Sequence, residues 1–357
     1  MRSEYNKLLS ISQTAALSII PPPNIGYSEV ASPYTMINIW KGILTLTRDI
    51  AFAIILHIDK AMFRSEFMKT LIKQIRDYLN MSQQEFAEQL NVSFTAVNRW
   101  ENGRSVPNKL AQTTLYELCK ARTVPVYDMT LERIKGMTDA LAIDNSRIFL
   151  YHGSKSGIVG TVAPKSRKQC DFGQGFYMGT EPGQALTLIC DYEKAKFYIV
   201  SLSMEGLSHV EVPADIDWAL LVAYHRGRME SVIGTPLYEK YGSMTQNMDM
   251  VVGSIANDRM FFVIDNFFMG NISDIALVNS LSALQLGKQF VAVSQKGCDA
   301  IRIEAEVALS HLERLFLKDV AEENRARGIS LANDICRKHR REGLFFDEIL
   351  ENAKIGG

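Results

Sequence analysis

No stretch of this 357-residue sequence is apolar for long enough to cross a bilayer. The two apolar runs near the start, Ile43–Leu46 and Ile50–Leu56, are split by Arg48 and Asp49, and neither approaches the ~20 residues a span needs. The opening residues also lack the basic, then apolar, then small pattern of a secretion signal. Cysteine is scarce: Cys119, Cys170, Cys190, Cys298 and Cys336 are odd in number and none has zinc-ligand or CxxC spacing. That speaks against a structural metal or a disulfide framework and predicts a cytoplasmic protein with no membrane partner. Neither sign of charge dominates, the formal net charge being −1. A chain that coats nucleic acid by bulk basicity is thereby excluded, and any contact with it must come from a local patch.

What is present suits globular domains. Hydrophobic residues make up 47% and charged residues 22% of the chain, and the length allows two or three separate cores. Residues 1–61 carry Pro21-Pro22-Pro23 and little periodicity. They read as a disordered or loosely helical leader, or as sequence upstream of a start at Met62 or Met68, and are expected to be dispensable for folding.

The periodicity changes at Phe67. Leu71, Ile72, Ile75 and Leu79 fall on one face of a helix. Ser82-Gln83-Gln84-Glu85 has the form of a capping box and opens a helix predicted over Gln83–Leu90. Asn91-Val92 make a turn, Ser93 caps a helix over Phe94–Glu101, and Asn102-Gly103 stops it. Beyond Pro107 another helix is expected over Lys109–Lys120. Two short helices cross steeply only over a small residue, and Ala87 supplies it. The run from Ser82 to Gly103 resembles the Cro/CI phage-repressor class of helix-turn-helix, whose module is placed here at 64–121. The resemblance implies that the helix capped by Ser93 enters the major groove of double-stranded DNA. It presents Phe94, Thr95, Asn98 and Arg99 to the bases, while Gln83, Asn102 and Arg104 meet phosphates. From Arg64 to Lys120 there are eight Lys/Arg and six Asp/Glu, a net of +2. Phosphate attraction is then modest, and a homodimer on a two-fold site is expected.

After Val124-Pro125 a helix is predicted over Thr130–Leu141, followed by a mixed α+β domain at 147–311. Strands are expected at Arg147–Ser154, after Gly173-Gln174-Gly175, and at Tyr198–Ser203, Ala219–Tyr224, Met250–Gly253, Phe261–Ile264 and Gln289–Val293, with a helix over Glu181–Ile189. Tyr151-His152-Gly153-Ser154 resembles the first signature strand of the diphtheria-toxin and poly(ADP-ribose) polymerase branch of ADP-ribosyltransferases. Phe172-Gly-Gln-Gly-Phe-Tyr177-Met resembles the second. With Gln184-Ala185, Val252–Asp258 and Gln289-Phe290, the set looks like a bacterial domain family of uncharacterised function with that fold. The whole chain is thus expected to be multidomain: an all-α helix-turn-helix bundle followed by an α+β ADP-ribosyltransferase-like domain.

That resemblance implies an NAD site. His152 would bond a ribose hydroxyl, Gly153 backbone groups would pair with the carboxamide, Tyr177 would lie against the nicotinamide, and Ser154 is counted with them as cofactor-binding. Gln289 would stand where the family usually has a catalytic glutamate. A neutral amide cannot stabilise developing positive charge as a carboxylate does. Poly-chain synthesis is therefore not expected. The readings left open are mono-ADP-ribosyl transfer to a macromolecular acceptor, NAD hydrolysis, and a catalytically inactive NAD or ligand sensor; Glu304 and Glu306 are placed on a later strand. Residues 312–357 read as a charged helical tail broken near Gly328 and Gly343. Leu344, Phe345, Ile349 and Leu350 are available for docking. The basic run Arg337–Arg341 is taken as a solvated helix end or a nucleic-acid contact.

Overall fold

The computed structural model describes residues 60–142, 146–255, 258–283, 287–339 and 342–355, which fall in one compact unit. The expectations for residues 1–59 lie outside the described residues. Five helices come first: α1 (Lys60–Tyr78), α2 (Gln83–Gln89), α3 (Phe94–Glu101), α4 (Lys109–Ala121) and α5 (Val126–Leu141). Their ends follow from local chemistry. Ser82 Oγ accepts the Glu85 amide at 3.2 Å while Glu85 Oε2 accepts the Ser82 amide at 2.8 Å, completing the expected capping box. Ser93 Oγ accepts the Ala96 amide at 3.1 Å and Asn108 Oδ1 accepts the Ala111 amide at 2.9 Å. The chain turns between α2 and α3 through Asn91 at φ 51° and leaves α3 through Gly103 at φ 68°, the left-handed region in which glycine and asparagine are tolerated. Met68, Leu71, Ile72, Phe86, Val97 and Trp100 are buried together, with Ala87 at the crossing of α2 and α3.

The second half is built on a seven-stranded sheet of order β4-β5-β6-β2-β1-β3-β7. The strands are β1 (Ile148–Ser154), β2 (Phe176–Gly179), β3 (Lys196–Leu202), β4 (His209–Val212), β5 (Met250–Ser254), β6 (Lys288–Ala292) and β7 (Ile301–Val307). All neighbours are antiparallel except β4 and β5. Alternation along the strands divides their side chains between two faces. Leu150, Met178, Val200 and Val252 share one core on the first face. On the opposite face Tyr151, Phe197 and Ile199 pack beneath α6 (Pro182–Ile189) and α5. Val251 and Val291 pack there beneath α7 (Ile216–His225), beside α8 (Pro236–Met244), α9 (Asp258–Phe268) and α10 (Asp274–Ala283). A short helix, α11 (Gln295–Asp299), links β6 to β7.

Two expected strands are helices instead. Ala219–Tyr224 lies in α7 and Phe261–Ile264 in α9. In α7 the six residues Trp218–Ala223 are all buried, so the run is apolar on every side and carries no period that separates helix from strand. The discriminating signal is the cap: Asp215 Oδ1 accepts the amides of Asp217 and Trp218. α5 also starts earlier than expected, at Val126.

The tail is corrected most. Helix α12 (His311–Lys338) runs through Gly328 without a break and is followed, after Gly343 at φ 82°, by α13 (Phe346–Ile355). α12 is no appendage. Leu312 joins the core of the helical bundle, and Leu317 joins the core under β1 and β3. Phe346, rather than Phe345, enters the core beneath α7 with Leu350, while Leu344 stays exposed.

Candidate functional sites: an exposed helix and a parted sheet

The outward side of α3 carries the residues expected to read DNA. Phe94, Thr95 and Arg99 are exposed and Asn98 is half-buried. Asn98 is held from below: its Nδ2 donates to Gln83 Oε1 at 3.2 Å, and Gln83 Nε2 donates to Glu101 Oε2 at 2.6 Å. Glu101, 7% exposed, accepts in turn from Arg76 Nε at 2.6 Å and Nη2 at 3.3 Å. The hydrogen bond to Glu101 raises the Arg76 pKa further above its already high value. A chain of hydrogen bonds thus runs from α1 through the base of α3 to the surface and fixes two polar side chains there. Asn102 and Arg104 are exposed beside them, and Asn102 Nδ2 donates to the Asn98 carbonyl at 2.7 Å. The sequence reading missed Glu101. A carboxylate at a helix C-terminus opposes the helix dipole, and that is the signal that a cation must face it.

The second site lies where the sheet parts. β1 and β3 are in register over all seven residues of β1, whereas β1 and β2 meet only at Tyr151–Gly179. Beyond that point β2 stays with β6, and His152–Ser154 have no backbone partner on β2. The His152 side chain spans the gap. Its Nδ1 lies 2.7 Å from the Tyr177 carbonyl oxygen, which only accepts, so Nδ1 carries the proton and Nε2 presents a lone pair. Burial pushes the His152 pKa down, which keeps the ring neutral. The ring stacks on Phe176, with centroids 4.2 Å apart.

Glycine is required at Gly153, because a Cβ there would come within 2.6 Å of the Ala185 carbonyl oxygen of α6. The loop before β2 is pinned from both ends. Tyr177 Oη donates to the Gly173 carbonyl at 2.7 Å and accepts the Phe172 amide at 3.1 Å, and Arg226 pairs with Asp171 at 2.6 Å. Burial raises the Tyr177 pKa and keeps the phenol protonated.

These residues do not gather on one face. His152 shares the side of Phe176 and Met178. Tyr177 packs with the core on the opposite side, toward Phe172 and Val291. Gln289 is buried between Gly179 and Gly253, and its Nε2 donates to the Ser254 carbonyl at 2.9 Å. Ser154 stands half-buried opposite Lys196. Glu304 and Glu306 are on β7, as expected; Glu306 faces Lys196 at 3.2 Å and takes a hydrogen bond from Tyr198 Oη at 3.3 Å. Among the described residues no group of His, Cys, Asp and Glu has the arrangement of a metal site, and no helix is long and apolar enough to cross a membrane.

Comparison with known proteins places a likeness on each half of the chain. Residues 72–121 match the family described as "Helix-turn-helix", and residues 148–303 match the family described as "Protein of unknown function (DUF3990)". The HTH-type transcriptional activator BcrR of Enterococcus faecalis is 31% identical over 108 residues, which cover 26% of this chain and 53% of that protein. The chain therefore spans about half the length of that curated relative. No solved structure matches. A helix-turn-helix domain at 72–121 and a domain of an uncharacterised family at 148–303 together account for most of the described residues.

Proposed function

We propose that this protein is a sequence-specific DNA-binding regulator whose sheet domain takes NAD as its ligand. The observation that carries the first part is α3 itself: a doubly anchored, capped helix with Phe94, Thr95 and Arg99 exposed and Asn98 fixed by Gln83. Such a helix enters the major groove N-terminus first, and Arg99 suits a guanine edge. Asn102, Arg104 and Gln83 take phosphates at its flanks. The net charge of the bundle is small, so two copies on a two-fold operator supply the affinity. Selection from a randomised duplex pool tests this: enrichment of one two-fold sequence supports it, and a pool that stays random counts against it.

Support for NAD comes from the parted strands. His152 Nε2 is an acceptor for a ribose hydroxyl, Gly153 lets α6 pack against β1, and Tyr177 shapes the loop beneath. Gln289 favours binding over transfer. It is neutral, and one of its N–H groups donates to the Ser254 carbonyl, so it leaves no carboxylate at the family's usual position. The second reading, mono-ADP-ribosyl transfer to a macromolecule, draws on Glu306, whose strand lies two places from β1 with Tyr198 between them. Labelled NAD incubated with the protein and a lysate separates the two. Binding without transferred label fits the sensor, and label on a macromolecule fits the transferase.

A further inference from the structure

Helix α6 lies against the point where β1 and β2 part, with Ala185 over Gly153. Its neighbour Gln184 carries one of the two buried side-chain polar atoms that lack a hydrogen-bond partner among the described residues. That atom, Oε1, lies 4.0 Å from where a Cβ would stand on Gly179. Gly179 is the residue at which β2 meets both Tyr151 of β1 and Gln289 of β6. The other atoms close to the same spot are the Ile255 side chain and the Lys288 carbonyl oxygen, and that carbonyl already accepts the Thr180 amide at 2.9 Å. A buried amide oxygen without a donor is a standing cost to folding. Such an atom calls for a donor from outside the chain, a ligand, a water or an ion.

We infer that Gln184 is a ligand-binding residue, its side-chain oxygen accepting a hydrogen bond from a primary carboxamide held where β1 and β2 part. The inference rests on the NAD reading above and names the end of the molecule that Gln184 recognises. The two groups found beside the oxygen, the Ile255 side chain and the Lys288 carbonyl, carry no charge, which suits an uncharged N–H donor better than an ammonium group. A primary carboxamide supplies that donor through its NH2 group. A carboxylate in its place carries no donor and would oppose the oxygen. The site therefore distinguishes the amide from the acid form of the same ring.

The test is calorimetric titration of the full chain with NAD and with nicotinic acid adenine dinucleotide, for the parent, Gln184→Leu and Gln184→Asn. The account expects ligand-free Gln184→Leu to melt no lower than the parent, since it removes an unpaired oxygen. NAD affinity should fall about tenfold in both variants, while the acid form binds Gln184→Leu at least as tightly as the parent. Unchanged NAD affinity in the variants would mean that a water satisfies the oxygen, overturning the inference and leaving the NAD reading intact. A parent that binds no NAD defeats both.

Discussion

Glu101 shows how a single side chain ties the stability of the bundle to its outward face. Its carboxylate is nearly enclosed and is shared by Arg76 and Gln83. Removing one partner of a buried pair strands the other, at a cost of ~3 kcal/mol. Glu101→Ala should therefore lower the unfolding free energy, read from a denaturant curve, by that much, and it should also loosen Asn98 through Gln83. A loss under 1 kcal/mol would show the pair to be solvated. The Ser93→Ala change removes one cap and should cost ~1 kcal/mol, read by the same unfolding curve.

His225 behaves in the opposite sense. Burial pulls its pKa down to about 4, and its ring packs against Gly173, near the loop that Tyr177 anchors. The folded state therefore binds this proton less readily than the unfolded one. Stability attributable to His225 is complete above the ordinary histidine value near 6.5. It is lost as pH falls toward 4, by up to ~3 kcal/mol. In His225→Gln the acid side of the stability profile should be flatter than in the parent; parallel profiles would remove histidine burial as the cause.

At the level of elements, legibility followed the reach of the interactions. α2 and α3 were readable because Ser82, Glu85, Ser93 and Gly103 act within a few residues of themselves. β1, β5 and β6 were readable from alternation and short apolar runs. α7 and α9 were misread as strands because complete burial erases the period, and in α7 only the Asp215 cap marks the truth. Nothing local announces what α12 does. Its first turns work through partners nearly two hundred positions away: the Leu312 amide donates to Gln112 Oε1 at 3.0 Å, and Arg133 Nη2 donates to Glu313 Oε1 at 2.6 Å. Tyr116 Oη reaches Asp319 at 2.8 Å, and the Arg133 guanidinium lies 3.4 Å over the Phe67 ring. Phe67 also bears on the expected start sites, since a chain beginning at Met68 would lose this contact and one beginning at Met62 would keep it. Arg337 and Lys338, at the far end of α12, lie ~40 Å from these turns, at 1.5 Å per residue. These two residues are thus remote from the bundle that holds α3.

Across the whole molecule, that joint makes the bundle and the sheet domain one body. Leu312 and Phe316 fill one core while Leu317 fills the next, so neither can melt without exposing the other. The full chain should accordingly unfold in one cooperative transition. Glu313→Ala strands Arg133 and should split that transition in two by calorimetry; a parent already showing two transitions would contradict a shared core. In such a body α6 touches β1 and β2 on one side and α5 and α12 on the other. The element nearest the parted strands is therefore also packed against the two helices that carry the DNA-binding bundle.

The claim on which the rest depends is that α3 reads base edges. Fluorescence anisotropy of the full chain, with a duplex selected from a random pool and with a scrambled duplex, tests it directly when parent and Arg99→Ala are compared at one salt concentration. The account predicts that Arg99→Ala loses ~1–3 kcal/mol on the selected duplex and far less on the scrambled one, because only the base contact is sequence-dependent. Equal losses on both duplexes would contradict it, placing Arg99 on the phosphates and leaving α3 without its reading residue.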